Sequence, residues 1–248
     1  MRQSRIFTAQ PLRTGDSVAL EGPPGHYLTR VLRLSKGDDI VLFNGDGADY
    51  AAVITEIRSQ RVIARINGSS NPGNESPLKI TLVQAVCRGE RMDYVLQKAT
   101  ELGVFCFQPL ISQRVEVRLD AARQEKRMQH WQAVVTSACE QCGRAVVPGV
   151  KRPLALADWI NAADGSLSLV LDPLAHNRLS GIAGHGDAIN VMVGPEGGFT
   201  EEELNYVYAK GVLAVSLGPR VLRSETAGPA AIAVLQAKMG DFKTPQPP

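Results

Sequence analysis

The chain has 248 residues, 44% of them hydrophobic and 21% charged, and a formal net charge of +2. Such values fit a globular protein of one large or two modest domains and exclude a low-complexity or highly charged disordered chain. No apolar run approaches the ~20 residues of a membrane span, and the first ten residues hold two arginines but no apolar signal core, so a mature cytoplasmic protein without membrane association is expected.

Residues 1–70 read as β structure. Short strands are expected at 17–20, 39–43, 50–57 and 62–66, with a turn at Asn44-Gly45-Asp46-Gly47. Residues 26–34 carry Leu28, Val31, Leu32 and Leu34, with Arg30 and Arg33 between them, and read as a short amphipathic helix. Several short strands with one helix suggest a small β-barrel. Residues 67–77 have linker composition, Gly-Ser-Ser-Asn-Pro-Gly-Asn-Glu-Ser-Pro at their centre, which sets the expected domains at 1–72 and 73–248.

From residue 78 the pattern alternates. Strands are expected at 79–87, 105–111, 166–171, 189–193 and 212–217, and helices at 92–102, 120–142 (one long helix or a helix pair), 153–162, 200–210 and 225–239. This order predicts an α/β domain with a mainly parallel sheet. The last helix is alanine-rich and packs either within its own domain or against a second copy.

Four cysteines occur, Cys87, Cys106, Cys139 and Cys142. Cys139 and Cys142 form C-x-x-C without a second pair at zinc-ribbon spacing, so structural thiols are expected rather than a metal or redox site. None of the four histidines is spaced as part of a metal pair, and no metal is expected.

The stretch Gly194-Pro195-Glu196-Gly197-Gly198 follows an apolar strand and precedes Thr200 and Glu203, spaced as a capping box. Strand, glycine loop and helix in succession read either as a tight turn or as a ligand loop at the C-terminal end of a strand. Glu196 and Glu201, Glu202 and Glu203 would repel a polyphosphate there, and neither dinucleotide nor P-loop spacing is present. A neutral or cationic ligand fits better. A second loop, Leu217-Gly218-Pro219-Arg220-Val221-Leu222, leaves a strand in the same way and runs into Arg223, Ser224, Glu225 and Thr226 at a helix start. That group reads as a cap with an ion pair or as a site where arginine orients an oxygen and glutamate takes a proton.

The two loops, 194–200 and 217–227, resemble the signature of the RsmE family, bacterial methyltransferases within the SPOUT superfamily that act on N3 of a uridine in 16S ribosomal RNA. Gln97-Lys98-Ala99-Thr100-Glu101-Leu102-Gly103-Val104, Ala138-Cys139-Glu140-Gln141-Cys142-Gly143-Arg144 and the stretch 26–38 resemble further family segments. One departure is His26-Tyr27, where the family often has two histidines. The resemblance implies an N-terminal PUA-like RNA-binding β-barrel, a C-terminal trefoil-knotted α/β domain, S-adenosylmethionine as methyl donor and a homodimer. It places the cofactor against Leu171, Gly194, Pro195, Glu196, Gly197, Gly198, Leu217, Gly218 and Leu222.

Base methylation at N3 needs loss of a proton and stabilisation of charge on the base, for which Arg223 and Glu225 are the candidates. RNA contacts are expected from Arg2, Arg5, Arg30 and Arg33 in the first domain and Arg114, Arg118 and Arg144 in the second. Residues 108–152 hold eight basic and four acidic side chains, a modest basic bias. The expected partner is 16S ribosomal RNA or the small ribosomal subunit. A ribose 2′-O-methyltransferase is disfavoured by Gln97-Lys98-Ala99-Thr100-Glu101, where such enzymes carry Asn and Arg. A non-catalytic assembly factor would not need both glycine loops, and a dehydrogenase lacks its fingerprint.

Overall fold

The computed structural model describes residues 3–242 apart from residues 60, 116–120, 163–164 and 184–185. The chain divides into two compact units, one of Met1–Glu75 with Thr136–Val147 and the other of Ser76–Val135 with Pro148–Pro248. Relative to a boundary at 72/73, the differences are residues 73–75 and the segment Thr136–Val147, which belong to the first unit. The bonds that hold the segment there are specific. Glu140 accepts the Phe7 backbone N–H at 3.0 Å, and Asn74 donates to the Gly143 carbonyl at 2.9 Å.

The first unit contains β1 (Ser4–Phe7), β2 (Ser17–Leu20), α1 (Pro23–His26), β3 (Asp39–Phe43), β4 (Asp49–Arg58) and β5 (Arg61–Ser70). Its five strands pair in the order β1-β3-β4-β5-β2, with β1 and β3 parallel and the other pairs antiparallel. Among the described residues the ladder is open between β1 and β2. Alternate residues turn inward to one core that includes Ile6, Leu20, Leu28, Leu42, Ile54 and Ile66. β5 continues to Ser70, beyond the start of the linker composition, because Gly68, Ser69 and Ser70 pair with Ala51, Tyr50 and Asp49. β1 falls outside the strands expected from sequence.

The expected amphipathic helix takes a different form. Residues Tyr27–Val31 make a π-helical turn, closed by the Leu32 N–H on the Tyr27 carbonyl at 3.0 Å. A wider turn changes which side chains share a face. Leu28 is buried, whereas Val31 is exposed together with Arg30 and Arg33.

The second unit contains β6 (Lys79–Ala85), α2 (Arg91–Glu101), β7 (Cys106–Ile111), α3 (Ala121–Cys142, which ends in the first unit), β8 (Gly149–Val150), β9 (Leu154–Ala155), α4 (Leu156–Asn161), β10 (Leu167–Leu171), β11 (Ala188–Val193), α5 (Glu201–Ala209), β12 (Leu213–Val215) and α6 (Ser224–Met239). Every strand pair in its sheet is parallel, in the order β12-β10-β11-β6-β7-β8, with β9 also on β7. The near-continuous apolar strands suit a parallel sheet buried on both faces, as the buried Val83, Val170 and Met192 show.

α6 is tied to α2 by one side chain. Gln236 is fully buried; its Nε2 donates to the Leu102 and Gly103 carbonyls at 3.1 and 3.2 Å, and its Oε1 accepts from Ser76 Oγ at 2.7 Å. It thereby satisfies carbonyls that the end of α2 leaves free. A Cβ on Gly103 would meet Gln236 Nε2 at 2.7 Å, and Gly103 itself sits at φ +82°, so glycine is required twice over.

Candidate functional site

Parallel pairing decides where the loops go. β12, β10 and β11 are neighbours, so the segments that follow them leave the same edge of the sheet side by side. β6 adds the segment containing Arg88 and Arg91, and β7 adds the segment containing Arg114. These segments, with the start of α6, enclose a cavity of about 620 Å³, within the usual range for a small-molecule site. Leu171, Gly194, Pro195, Glu196, Gly197, Gly198, Leu217, Gly218 and Leu222 all line it, as do Arg223 and Glu225.

Local bonds shape the first glycine loop. Thr200 caps α5 by accepting the Glu203 N–H at 3.2 Å, and Glu203 returns a carboxylate oxygen to the Thr200 N–H at 2.9 Å. The other oxygen of this buried carboxylate accepts the Gln113 N–H at 2.8 Å. Phe199 packs under the loop so closely that a Cβ on Gly194 would meet its ring at 3.2 Å. Glu196 accepts from the Arg88 N–H and from Arg91 Nη1, both at 3.1 Å. Partial burial pushes its pKa up, but the Arg88 N–H and the Arg91 guanidinium outweigh this and hold it below the usual carboxylate value.

The acidic character expected of the loop is therefore tempered. Glu196 is neutralised by Arg91, and Glu203 is used within the fold; Glu201 and Glu202 remain exposed at the start of α5.

Two positions sharpen the opposite wall. Asp172, after β10, accepts from the Leu174 N–H at 2.9 Å and from Tyr208 Oη at 2.8 Å. Burial, then the Asp172 bond, pushes the Tyr208 phenol up to about 12, so it stays a donor. Arg223 is exposed at the start of α6, and Glu225 is half-buried with Ser224 Oγ at 3.4 Å from one oxygen and Arg91 Nε at 3.8 Å from the other.

The residues present fit S-adenosylmethionine. Leu171, Val193, Leu217 and Leu222 offer apolar surface for a purine, and the backbone of Gly194, Gly197 and Gly218 also lines the chamber. Of the four arginines that line the chamber, Arg91 and Arg114 are committed to partners on the glycine loop, and Arg220 and Arg223 are exposed.

The seven arginines expected at RNA separate into groups. Arg2 and Arg118 lie outside the described residues. Arg5 and Arg144 are corrections to that expectation, because both guanidinium groups are buried and used internally. Arg5 pairs with Asp49, lies 4.8 Å over the Phe43 ring and donates to the Arg144 carbonyl at 3.0 Å. Arg144 forks onto Glu75, with Nη2 to carboxylate oxygen at 2.6 Å. Arg114 is exposed, and its Nη1 donates to the Gly197 carbonyl at 2.7 Å and the Phe199 carbonyl at 3.3 Å, so that it also braces the glycine loop. Arg30 and Arg33 are exposed beside the π-helical turn.

Arg91 and Tyr208 were not singled out in the sequence. Arg91 lies on the polar side of its helix, where an arginine normally signals only solvent. Its available signal was its place in the first helical turn after β6, at the same sheet edge as the loops.

Cys87, Cys106 and Cys139 are buried free thiols; burial pushes Cys87 up to about 11 and Cys139 up to about 12. Thiols so protonated are poor nucleophiles and poor ligands.

Comparison with known proteins places this architecture. A family model described as an RNA methyltransferase domain matches residues 74–236, and one described as an RNA methyltransferase PUA domain matches residues 20–67. Ribosomal RNA small subunit methyltransferase E of Buchnera aphidicola (Schizaphis graminum) is 32% identical over 242 residues, covering 97% of this chain and 98% of the relative. The protein of that name from Synechocystis is 33% identical over 221 residues, covering 86% of this chain and 70% of the relative. Among solved structures, the methyltransferase E of Neisseria gonorrhoeae bound to S-adenosyl methionine is 40% identical, with a TM-score of 0.94 over 98% of this chain and 100% of that one. A Legionella pneumophila methyltransferase with bound SAM is 38% identical, with a TM-score of 0.94 over 97% of this chain and 100% of that one. With a PUA domain followed by a parallel-sheet methyltransferase domain, and with full-length relatives above 30% identity, the chain belongs to the ribosomal RNA small subunit methyltransferase E (RsmE) family.

Proposed function

We propose that this chain methylates N3 of a specific uridine in the 16S RNA of the small ribosomal subunit, using S-adenosylmethionine. The observation that carries the reading is the convergence of the segments after β10, β11 and β12 on one cavity, with Arg223 and Glu225 at the start of α6 lining it. Bound there, S-adenosylmethionine supplies an electrophilic methyl group on a sulfonium. The glycine-loop backbone and the apolar side chains of Leu171, Leu217 and Leu222 hold the donor.

The protein's chemical work lies at the acceptor. N3 of uracil carries a proton that is used in base pairing, so the nucleotide must be unpaired or flipped out before it reaches the cavity. Arg223, exposed and charged, donates to a uracil carbonyl oxygen and offsets negative charge as N3 is deprotonated. Glu225 accepts that proton, directly or through a water. Once Glu225 holds the proton, the electron pair left on N3 is held in place by Arg223 and is free to form a bond to the methyl carbon that the sulfonium would supply.

Arg30 and Arg33 of the PUA domain contact RNA phosphates. The two units, divided near residues 72–75, act as an RNA-binding module and a catalytic module. The catalytic module is threaded as a trefoil knot, and the protein works as a homodimer in the cytoplasm; no described helix is long and apolar enough to cross a membrane.

The test uses small ribosomal subunits from cells lacking this activity. Incubation with the protein and S-adenosylmethionine is expected to create one new reverse-transcription stop at a uridine, since N3 methylation blocks pairing. A methyl group found on ribose, or no transfer to the subunit or its RNA, would refute the reading.

A further inference from the structure

The Arg91 guanidinium lies between carboxylates from two separate cavity segments. Its Nη1 is 3.1 Å from Glu196 in the loop after β11, and its Nε is 3.8 Å from Glu225 at the start of α6. The Arg88 N–H, from the same segment before α2, meets the same Glu196 oxygen at 3.1 Å. On the other side of the loop, Arg114 holds the Gly197 and Phe199 carbonyls. An exposed ion pair would contribute little. Here the side chains are 42% exposed for Arg91, 29% for Glu196 and 17% for Glu225, and one guanidinium is shared by two like charges. Arginine suits the task because its planar fork presents donors in two directions.

We infer that Arg91 is a positioning residue that couples the cofactor loop to Glu225, so that the shape of the donor site and the placement of the acceptor-side carboxylate are set together. The inference rests on the methyltransferase reading, but the linkage itself consists of contacts within the chain. Arg91 acts through Glu196 on the loop and through Glu225 on the acceptor side. It gives the two walls of the cavity a common reference on α2.

The experiment compares R91M, R91K, E196Q and the double variant R91M/E196Q with the parent chain. The readouts are hydrogen exchange in the ligand-free protein, calorimetric binding of S-adenosylmethionine, turnover on small subunits and melting temperature. In ligand-free R91M and E196Q, exchange should rise at Arg88 and across residues 196–199, while α6 and the sheet stay protected. Loss of one charge-assisted bond should weaken cofactor binding about tenfold in each single variant. Misplacement of Glu225 should lower kcat about 100-fold in R91M. The double variant should be no more than about twofold worse in binding than the worse single one, because both remove the same link. R91K, with one donor centre in place of a fork, should recover most of the binding and little of kcat.

Unchanged exchange in the loop would overturn the inference, even if the parent neither bound the cofactor nor methylated RNA. So would additive binding losses, or losses of binding and kcat that merely follow a fall in melting temperature in all Arg91 variants. A parent chain that shows the exchange effects but no methyl transfer would refute the functional reading and leave the clamp standing.

Discussion

Arginine is the residue type on which sequence and structure differ most. In the chain, Arg5, Arg114 and Arg144 are alike as expected RNA contacts, and Arg223 alone stands apart by its place at a helix start after the second glycine loop. In the fold, Arg5 and Arg144 are buried against carboxylates, Arg114 braces backbone carbonyls, and Arg223 stands open on the cavity. Nothing local to Arg5, Arg144 and Arg114 separates their cases, because the partners Asp49, Glu75 and Gly197 lie 44, 69 and 83 positions away. The open position of Arg223 makes a definite expectation. Arg223→Ala should abolish turnover while calorimetric affinity for S-adenosylmethionine stays within about threefold, since Arg223 serves the transition state rather than the donor. Normal turnover would remove it from the mechanism. Glu196 gives a pH expectation. Its folded pKa is depressed, so its stabilising contribution is present above the ordinary glutamate value and is lost as pH falls through the folded one. The melting-temperature difference between the parent and E196Q should be constant above the ordinary glutamate range and shrink as the pH falls below it. A difference that grew on acidification would contradict the bonding described.

At the scale of elements, the cavity was largely legible because its chemistry is local. A strand, a glycine loop and a capped helix occupy one continuous stretch, and the Thr200–Glu203 box lies three residues apart. The π-helical turn at Tyr27–Val31 was not legible, since a 3.6-residue period and a wider one cannot be told apart over five residues. β1 was missed for a related reason: four residues carry too little alternation, and its strand character comes from pairing with β3. The α2–α6 link was equally hidden, for a glutamine in an alanine-rich helix announces no partner. Gln236→Ala should cost about 2 kcal/mol, because it strands carbonyls at the end of α2 and the Ser76 hydroxyl. Chemical denaturation would measure it. A loss below about 0.5 kcal/mol would mean that water replaces the amide without penalty.

At the scale of the molecule, the alternating pattern after residue 78 specified an α/β class, but strand order did not follow from it. Sheet neighbours such as β12 and β10 are set by packing of whole elements, not by spacing. The exposed charge of Arg30 and Arg33 gives the expectation at this scale. If Arg30 and Arg33 each contact a phosphate, the double alanine variant should flatten the dependence of log affinity on log salt by about 2 units. An unchanged slope in subunit-binding titrations would exclude both. The unit made of Met1–Glu75 and Thr136–Val147 has a further consequence. Its polypeptide is discontinuous, so no single cut releases it whole. Cleavage in the 71–77 stretch would leave the barrel strands without Glu140 and the Arg144 anchor that Phe7 and Glu75 bind. The same cut would leave the remaining chain carrying an orphaned insert at the end of α3. Exchange of PUA domains between relatives by swapping N-terminal segments alone should therefore yield poorly folded chimeras, and grafts should succeed only when residues 136–147 travel with them.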